Sequence, residues 1–244
     1  MTRTGARILV DQLVVHGVDT VFCVPGESYI GALDALRDAP IRLVVARHEA
    51  GAANMAEAYG KLTGRPGICF VTRAPGATHA ATGVYTAFQD STPLILFVGQ
   101  VPRGHRGREA FQELDYAAAF GSYSKWVDEV QQPGSFPETT AHAFQTALSG
   151  RSGPVVVALP EDVLDARAEV SDAAPRVPAQ PAPSAADLAR LRELLGVAER
   201  PLVVIGGGGW SAQAAADLQR FAEANRLPVA TSFRRQDYVD NASP

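Results

Sequence analysis

Glu49 is the residue of this chain best placed to do chemistry. It follows a short apolar run, Leu43-Val44-Val45-Ala46, and precedes Ala50-Gly51-Ala52-Ala53, which are too small to shield a carboxylate with their own bulk. Two other sets of special residues also stand after strand-like runs. Pro25-Gly26 follows Val21-Phe22-Cys23-Val24, and Pro75-Gly76 with His79 follows Gly67 to Thr72. If those runs are strands of one parallel sheet, the three sets share an edge, where ligands bind in open α/β sheets. They would form a flat slot with one carboxylate and otherwise small walls. Such a slot suits a planar heteroaromatic ring better than a phosphate, because it offers no cationic cradle. Plainer explanations exist for each feature alone. A Glu in a first helical turn gains on the order of a few tenths of a kcal/mol from the helix dipole, and Pro and Gly commonly punctuate turns.

The elements that must position these residues alternate along the chain. Residues 3–16 read as an amphipathic helix. Buried strands are expected at 21–24, 41–46, 67–72, 94–98 and 154–159, with a weaker one at 125–130. Helices are expected from Glu27 to Arg37, from about His48 to Gly64, up to about Gln89, and from Pro133 to about Gly150. In the helix of Glu49, Ala52, Met55, Ala56 and Tyr59 form an i, i+3, i+4, i+7 face, and Gly64 is a plausible C-cap. Residues 103–124 are mixed. Strands alternating with helices predict an α/β fold, a parallel sheet with helices on both faces.

A proline-rich linker is expected over 166–183, dividing a first domain, 1–165, from a second unit, 184–244. The second unit has Ser184 as N-cap of a helix over 185–198, a strand at 202–205, the turn Gly206 to Gly209, a helix over 211–225 and a strand from Pro228. The glycine turn matches GxGxxG only in part, since Ser211 stands where the last glycine belongs, and a plain strand-to-helix turn is the better reading. Two strands bury too little apolar area to hold a domain together. The second unit therefore reads as the incomplete opening of another domain.

The 244 residues, 46% hydrophobic and 20% charged, have the composition of a soluble globular protein. A net charge of -4 without a basic block argues against nucleic acid as a partner. No apolar run reaches membrane-spanning length, and the N-terminus lacks the features of a signal peptide. Cys23 and Cys69 lie inside strand-like runs and read as buried, reduced thiols of a cytoplasmic protein. The histidines show no metal-ligand spacing, so no metal ligand is expected among these residues.

Five blocks in register, RHEAGAANMAEAYGKLTGRPG, FVTRAPGATHA, FVGQVP, AFQELD and SGRSGPVVVALPEDV, resemble the N-terminal pyrimidine-binding domain of thiamine-diphosphate-dependent enzymes. The acetolactate synthase branch is the most similar. The resemblance covers residues 3 to about 165. From 184 on, PLVVIGGGG and PVATSFRRQD resemble the start of the family's central, Rossmann-like domain, within which the chain reads as truncated.

The resemblance implies a role for Glu49. It falls on the family's catalytic glutamate, which hydrogen-bonds N1′ of the cofactor's aminopyrimidine so that the exocyclic nitrogen can take the proton from C2 of the thiazolium. A 2-keto acid is then decarboxylated and its remaining fragment passed to a second acceptor. A carboxylate shielded by an aromatic ring should have a raised pKa, which suits a group sharing a proton near neutrality. By the same resemblance Pro25 and Gly26 lie beneath the pyrimidine, and Pro75, Gly76 and His79 lie near it. Phe111 and Gln112 lie beside the reacting centre, and Arg151 matches an arginine that contacts FAD. Mg²⁺ is expected on ligands in a C-terminal domain that this chain does not contain. A homo-oligomer sharing its active site between subunits is implied as well.

Two departures stand out. Family members commonly read TSGPGATN where this chain has Thr72-Arg73-Ala74-Pro75-Gly76-Ala77-Thr78-His79, and acetolactate synthases often read LPKDV where this chain has Glu161 in place of the lysine. Two functions follow. One is the catalytic-glutamate half of a thiamine-diphosphate-dependent lyase or transferase, inactive alone. The other is a non-catalytic module that keeps the fold but lacks the diphosphate and Mg²⁺ site.

Overall fold

The computed structural model describes residues 1–178 and 181–243, in two compact units that divide after Pro178. In chain order the first unit has β1 (Arg3–Thr4), α1 (Gly5–Val15), β2 (Thr20–Cys23), α2 (Ile30–Arg37), β3 (Arg42–Val45), α3 (Glu49–Thr63), β4 (Gly67–Val71) and α4 (Ala74–Asp90). It continues with β5 (Leu94–Gln100), α5 (Tyr116–Phe120), β6 (Trp126–Glu129), α6 (Phe136–Leu148), β7 (Pro154–Pro160), α7 (Glu161–Asp165) and β8 (Arg167–Ala168).

Six of these strands form one parallel sheet in the order β3-β2-β4-β5-β7-β6. The sequence dictates its centre. Strands β4 and β7 are unbroken apolar runs and β5 is apolar as far as Gln100, all buried at every position, as expected when helices cover both faces. On one face Ile8, Leu9 and Leu13 of α1 and Phe136 and Phe144 of α6 cluster with Phe70, Phe97, Val155 and Val157 of the sheet. On the other, Ala52 and Ala56 of α3 and Ala77, Ala80 and Val84 of α4 cluster with Cys69, Val71, Leu96 and Val98. Both cysteines are buried and unpaired, as their strand context predicts.

The structure amends the sequence reading in four places. Strand β3 is not buried. It is the sheet edge, where Val45 is 58% exposed, and a β-branched run does not reveal an edge position. The buried face of α3 is Ala52, Ala53, Ala56, Glu57 and Gly60, whereas Met55 is partly exposed. The choice follows from close helix approach, because a Cβ at Gly83 of α4 would lie 2.5 Å from that of Ala53. Pro75-Gly76 is no turn but the first turn of α4, where a proline's missing N–H costs nothing. Arg3–Thr4 does not open the first helix. It pairs antiparallel with Arg167–Ala168, at the start of the segment expected to be linker, and Thr4 caps α1 instead.

The second unit has α8 (Ala185–Val197), β9 (Val203–Ile205), α9 (Ala212–Asn225) and β10 (Val229–Thr231). Strands β9 and β10 pair parallel over three residues each. Ser184 and Asp187 form a capping box at the start of α8, and Ser211 caps α9.

Candidate active site

Glu49 is the first residue of α3, four residues beyond the end of β3. His48 is the N-cap, its Nδ1 accepting the Ala50 N–H at 3.1 Å. That bond fixes the corner, and Glu49 sits over the positive end of the helix with its side chain only 13% exposed. The facing wall is α4. His79, in its second turn, donates from Nδ1–H to Glu49 Oε2 at 3.0 Å, and its ring stacks on that of His48 with centroids 4.6 Å apart. The other oxygen, Oε1, faces Gly76, where a Cβ would lie 3.5 Å away. A Cβ at Gly51 would meet nothing within 4 Å. One carboxylate oxygen is thus held by an imidazole while small residues leave space around the group.

The loop after β2 locks onto the loop after β4. A Cβ on Gly26 would meet that of Thr72 at 2.6 Å, and the hydroxyls of Ser28 and Thr72 are hydrogen-bonded at 2.9 Å. Gly99 of β5 has no room for a side chain because Ser28 occupies it. The Tyr29 hydroxyl donates to the Val24 carbonyl, closing the turn that carries Pro25 and Gly26.

Of the residues singled out from the sequence, Glu49, Gly76 and His79 come together, with Pro25 and Gly26 on the adjoining loop of β2. Gln112 reaches the same edge of the sheet: its carbonyl accepts the Ala74 N–H at 3.1 Å, and its side chain accepts from Arg73. Phe111 beside it is 74% exposed. Arg151 does not join them. It precedes β7 and lies at the opposite edge, where it donates to Ser91 Oγ and to the Phe88 carbonyl at the end of α4.

The structure also brings together what spacing did not suggest. Donor atoms of His48, Glu49 and His79 lie within 4.8 Å of one another, although no metal-ligand pattern links them in the sequence. Two imidazoles and one carboxylate do not suit Mg²⁺, which takes oxygen ligands. Arg73 is the residue that sequence reasoning noticed only as a departure. Its side chain is 7% exposed, and it bonds to groups from three other loops. A cavity of about 160 Å³ lined by His16, Thr20, Tyr59, Arg65 and Phe144 lies at the other edge of the sheet, away from Glu49.

Comparison with known proteins identifies the family. Residues 3–119 match the family model for the N-terminal TPP binding domain of thiamine pyrophosphate enzymes, and residues 188–244 match the model for their central domain. The acetolactate synthase large subunit of Parasynechococcus marenigrum is 39% identical over 249 residues, spanning 98% of this chain and 40% of the relative. Isozyme 2 of that large subunit from Escherichia coli is 35% identical over 240 residues, spanning 98% of this chain and 44% of the relative. The acetolactate synthase of Bacillus subtilis is 35% identical over 235 residues, spanning 94% and 40%. The chain spans less than half the length of these curated relatives. Its two family models together cover well over half of the chain, and the chain belongs to the thiamine pyrophosphate enzyme family.

Proposed function

We propose that this chain supplies the pyrimidine-activating part of a thiamine-diphosphate-dependent enzyme that acts on 2-keto acids in the manner of acetolactate synthases. The observation that carries the reading is the Glu49 carboxylate, mostly buried at a parallel-sheet edge, with Oε2 held by His79 and Oε1 facing Gly76. A planar ring fits beside such a group, and a nitrogen of that ring could hydrogen-bond it. The bound cofactor would supply a thiazolium carbon able to hold the electrons left by decarboxylation. Glu49 would share a proton with the ring nitrogen. His79 would keep the carboxylate turned toward the ring, and the glycines would leave room for it. Pro25 and Gly26 would border the ring, and Phe111 and Gln112 the substrate.

The finer parts of the proposal rest on the resemblance. The diphosphate and its Mg²⁺ would be held by groups other than those around Glu49, whose donor set does not suit that ion. An FAD contact at Arg151 would use a surface separate from Glu49, with donors now bonded to Ser91 and Phe88. A homo-oligomer with shared active sites would set Glu49 of one subunit against cofactor held by another. Among the described residues no helix is long and apolar enough to cross a membrane. A cytoplasmic location is the reading that two buried, reduced thiols favour.

The test is Glu49→Gln in an assembly that supplies the diphosphate-binding domain. The amide keeps the volume but cannot cycle a proton, so turnover should fall at least about a hundredfold. Stability of the chain should change by no more than about 1 kcal/mol. Near-normal turnover would leave Glu49 as an ordinary first-turn helix residue.

A further inference from the structure

Arg73 ties together four strand ends. It follows β4 itself and precedes α4. Its guanidinium donates to Glu27 Oε1, after β2, at 3.1 Å and to Gln112 Oε1, after β5, at 3.4 Å. It is also ion-paired with Glu161, after β7. The Arg73 side chain is only 7% exposed, whereas Glu161 is 30% and Glu27 74% exposed, so the guanidinium is the buried charge that needs its partners. Two of the positions that depart from the family pattern, an arginine where serine is common and a glutamate where lysine is common, are partners of each other.

The consequence falls on Gln112. Its backbone is left-handed, with φ of 63°, a region that non-glycine residues occupy only when their surroundings hold them there. Two bonds hold it, one from the Arg73 guanidinium to its side chain and one from the Ala74 N–H to its carbonyl. The Ala74 N–H belongs to the first turn of α4, which has no partner within its own helix. Gln112 thus takes the place of a helix cap, and the orientation of the Phe111–Gln112 segment depends on where Arg73 is fixed. Lysine could not replace it. An ammonium cannot span Glu161 and Gln112 with a planar fork.

We infer that Arg73, anchored by Glu161, is a positioning residue that sets substrate selectivity by fixing the wall formed by Phe111 and Gln112. The inference rests on the proposed function, which puts that wall beside the substrate.

The test uses Arg73→Lys, which keeps the charge and an ion pair with Glu161, in two measurements. In the 244-residue chain without cofactor, the Ala74 amide should exchange with solvent at least roughly tenfold faster than in the parent, while amides of β4 keep their rates. In the assembly that turns over 2-keto acids, the ratio of kcat/KM values across keto acids of increasing chain length should change at least about fivefold. The change should come mainly through KM, with kcat nearly kept. An unchanged Ala74 exchange rate overturns the inference. So does faster exchange with an unchanged selectivity ratio, since Arg73 would then only brace the fold. Failure of the proposed function itself reads out elsewhere, as normal turnover in Glu49→Gln, and leaves the cofactor-free exchange result standing.

Discussion

His79 Nδ1 lies 3.0 Å from Glu49 Oε2, joining the second turn of α4 to the first residue of α3. In this contact a half-exposed imidazole serves a largely buried carboxylate. Removing the donor leaves a charged acceptor short of a partner, which costs about 1–3 kcal/mol for a fully buried group. Because His79 is 52% exposed, water can replace part of the bond, and the low end applies. His79→Leu should therefore destabilise the chain by about 1 kcal/mol. His79→Asn, which restores the family's common residue and a donor, should cost less than about half of that. Urea midpoints at unchanged slope measure both. A leucine variant as stable as the asparagine variant would mean the bond contributes nothing.

The cysteines give a pH dependence. Burial away from water disfavours the thiolate, pushing Cys23 up to about 11 and Cys69 higher still. In the unfolded chain both titrate near ~8.5. The folded state therefore holds these protons more tightly. The resulting stability is fully present below about pH 8.5 and is lost as pH rises toward 11. At pH 8 a thiol reagent should label both slowly in the native chain and rapidly after denaturation. Fast stoichiometric labelling at pH 8, or stability that climbs between pH 9 and 11, would contradict the burial of these side chains.

Much of this was legible in the sequence, for a physical reason. A strand covered on both faces must be apolar throughout, so Ile68-Cys69-Phe70-Val71 announces the centre of the sheet. The corner that carries Glu49 is equally local, since a short strand, a cap and an alanine-rich helix are written in one stretch from Arg42 to Thr63. What was illegible is what depends on pairing across the chain. Strand order is one example: nothing in Leu43-Val44-Val45 says that β3 lies at an edge. The contact of His79 with Glu49 spans 30 positions, and those of Arg73 with Gln112, Glu27 and Glu161 span 39, 46 and 88. No local spacing rule reaches so far. Arg73 could be noticed only as an unexpected residue in a familiar block, and its role became visible once its partners were in place.

The second unit should be the first part of the chain to yield to a protease. Its helix α8 has no buried residue, and Leu188, Leu191, Leu194 and Val197 are 53, 52, 49 and 75% exposed. Its two strands pair over three residues, and among its described residues only Ile205 and Ala222 are buried hydrophobics. So little buried apolar surface does not offset the conformational entropy of some sixty ordered residues, at about 1–2 kcal/mol each for the backbone alone. The first unit, with buried strands β4, β5 and β7 covered on both faces, has what the second lacks. Limited proteolysis of the 244-residue chain should cut first within 166–183 or inside the second unit. It should then degrade the C-terminal part while a fragment close to 1–178 accumulates. Mass spectrometry of the stable fragments reads the result. A C-terminal part that survives as long as the first unit would show that its exposed leucines are covered in solution.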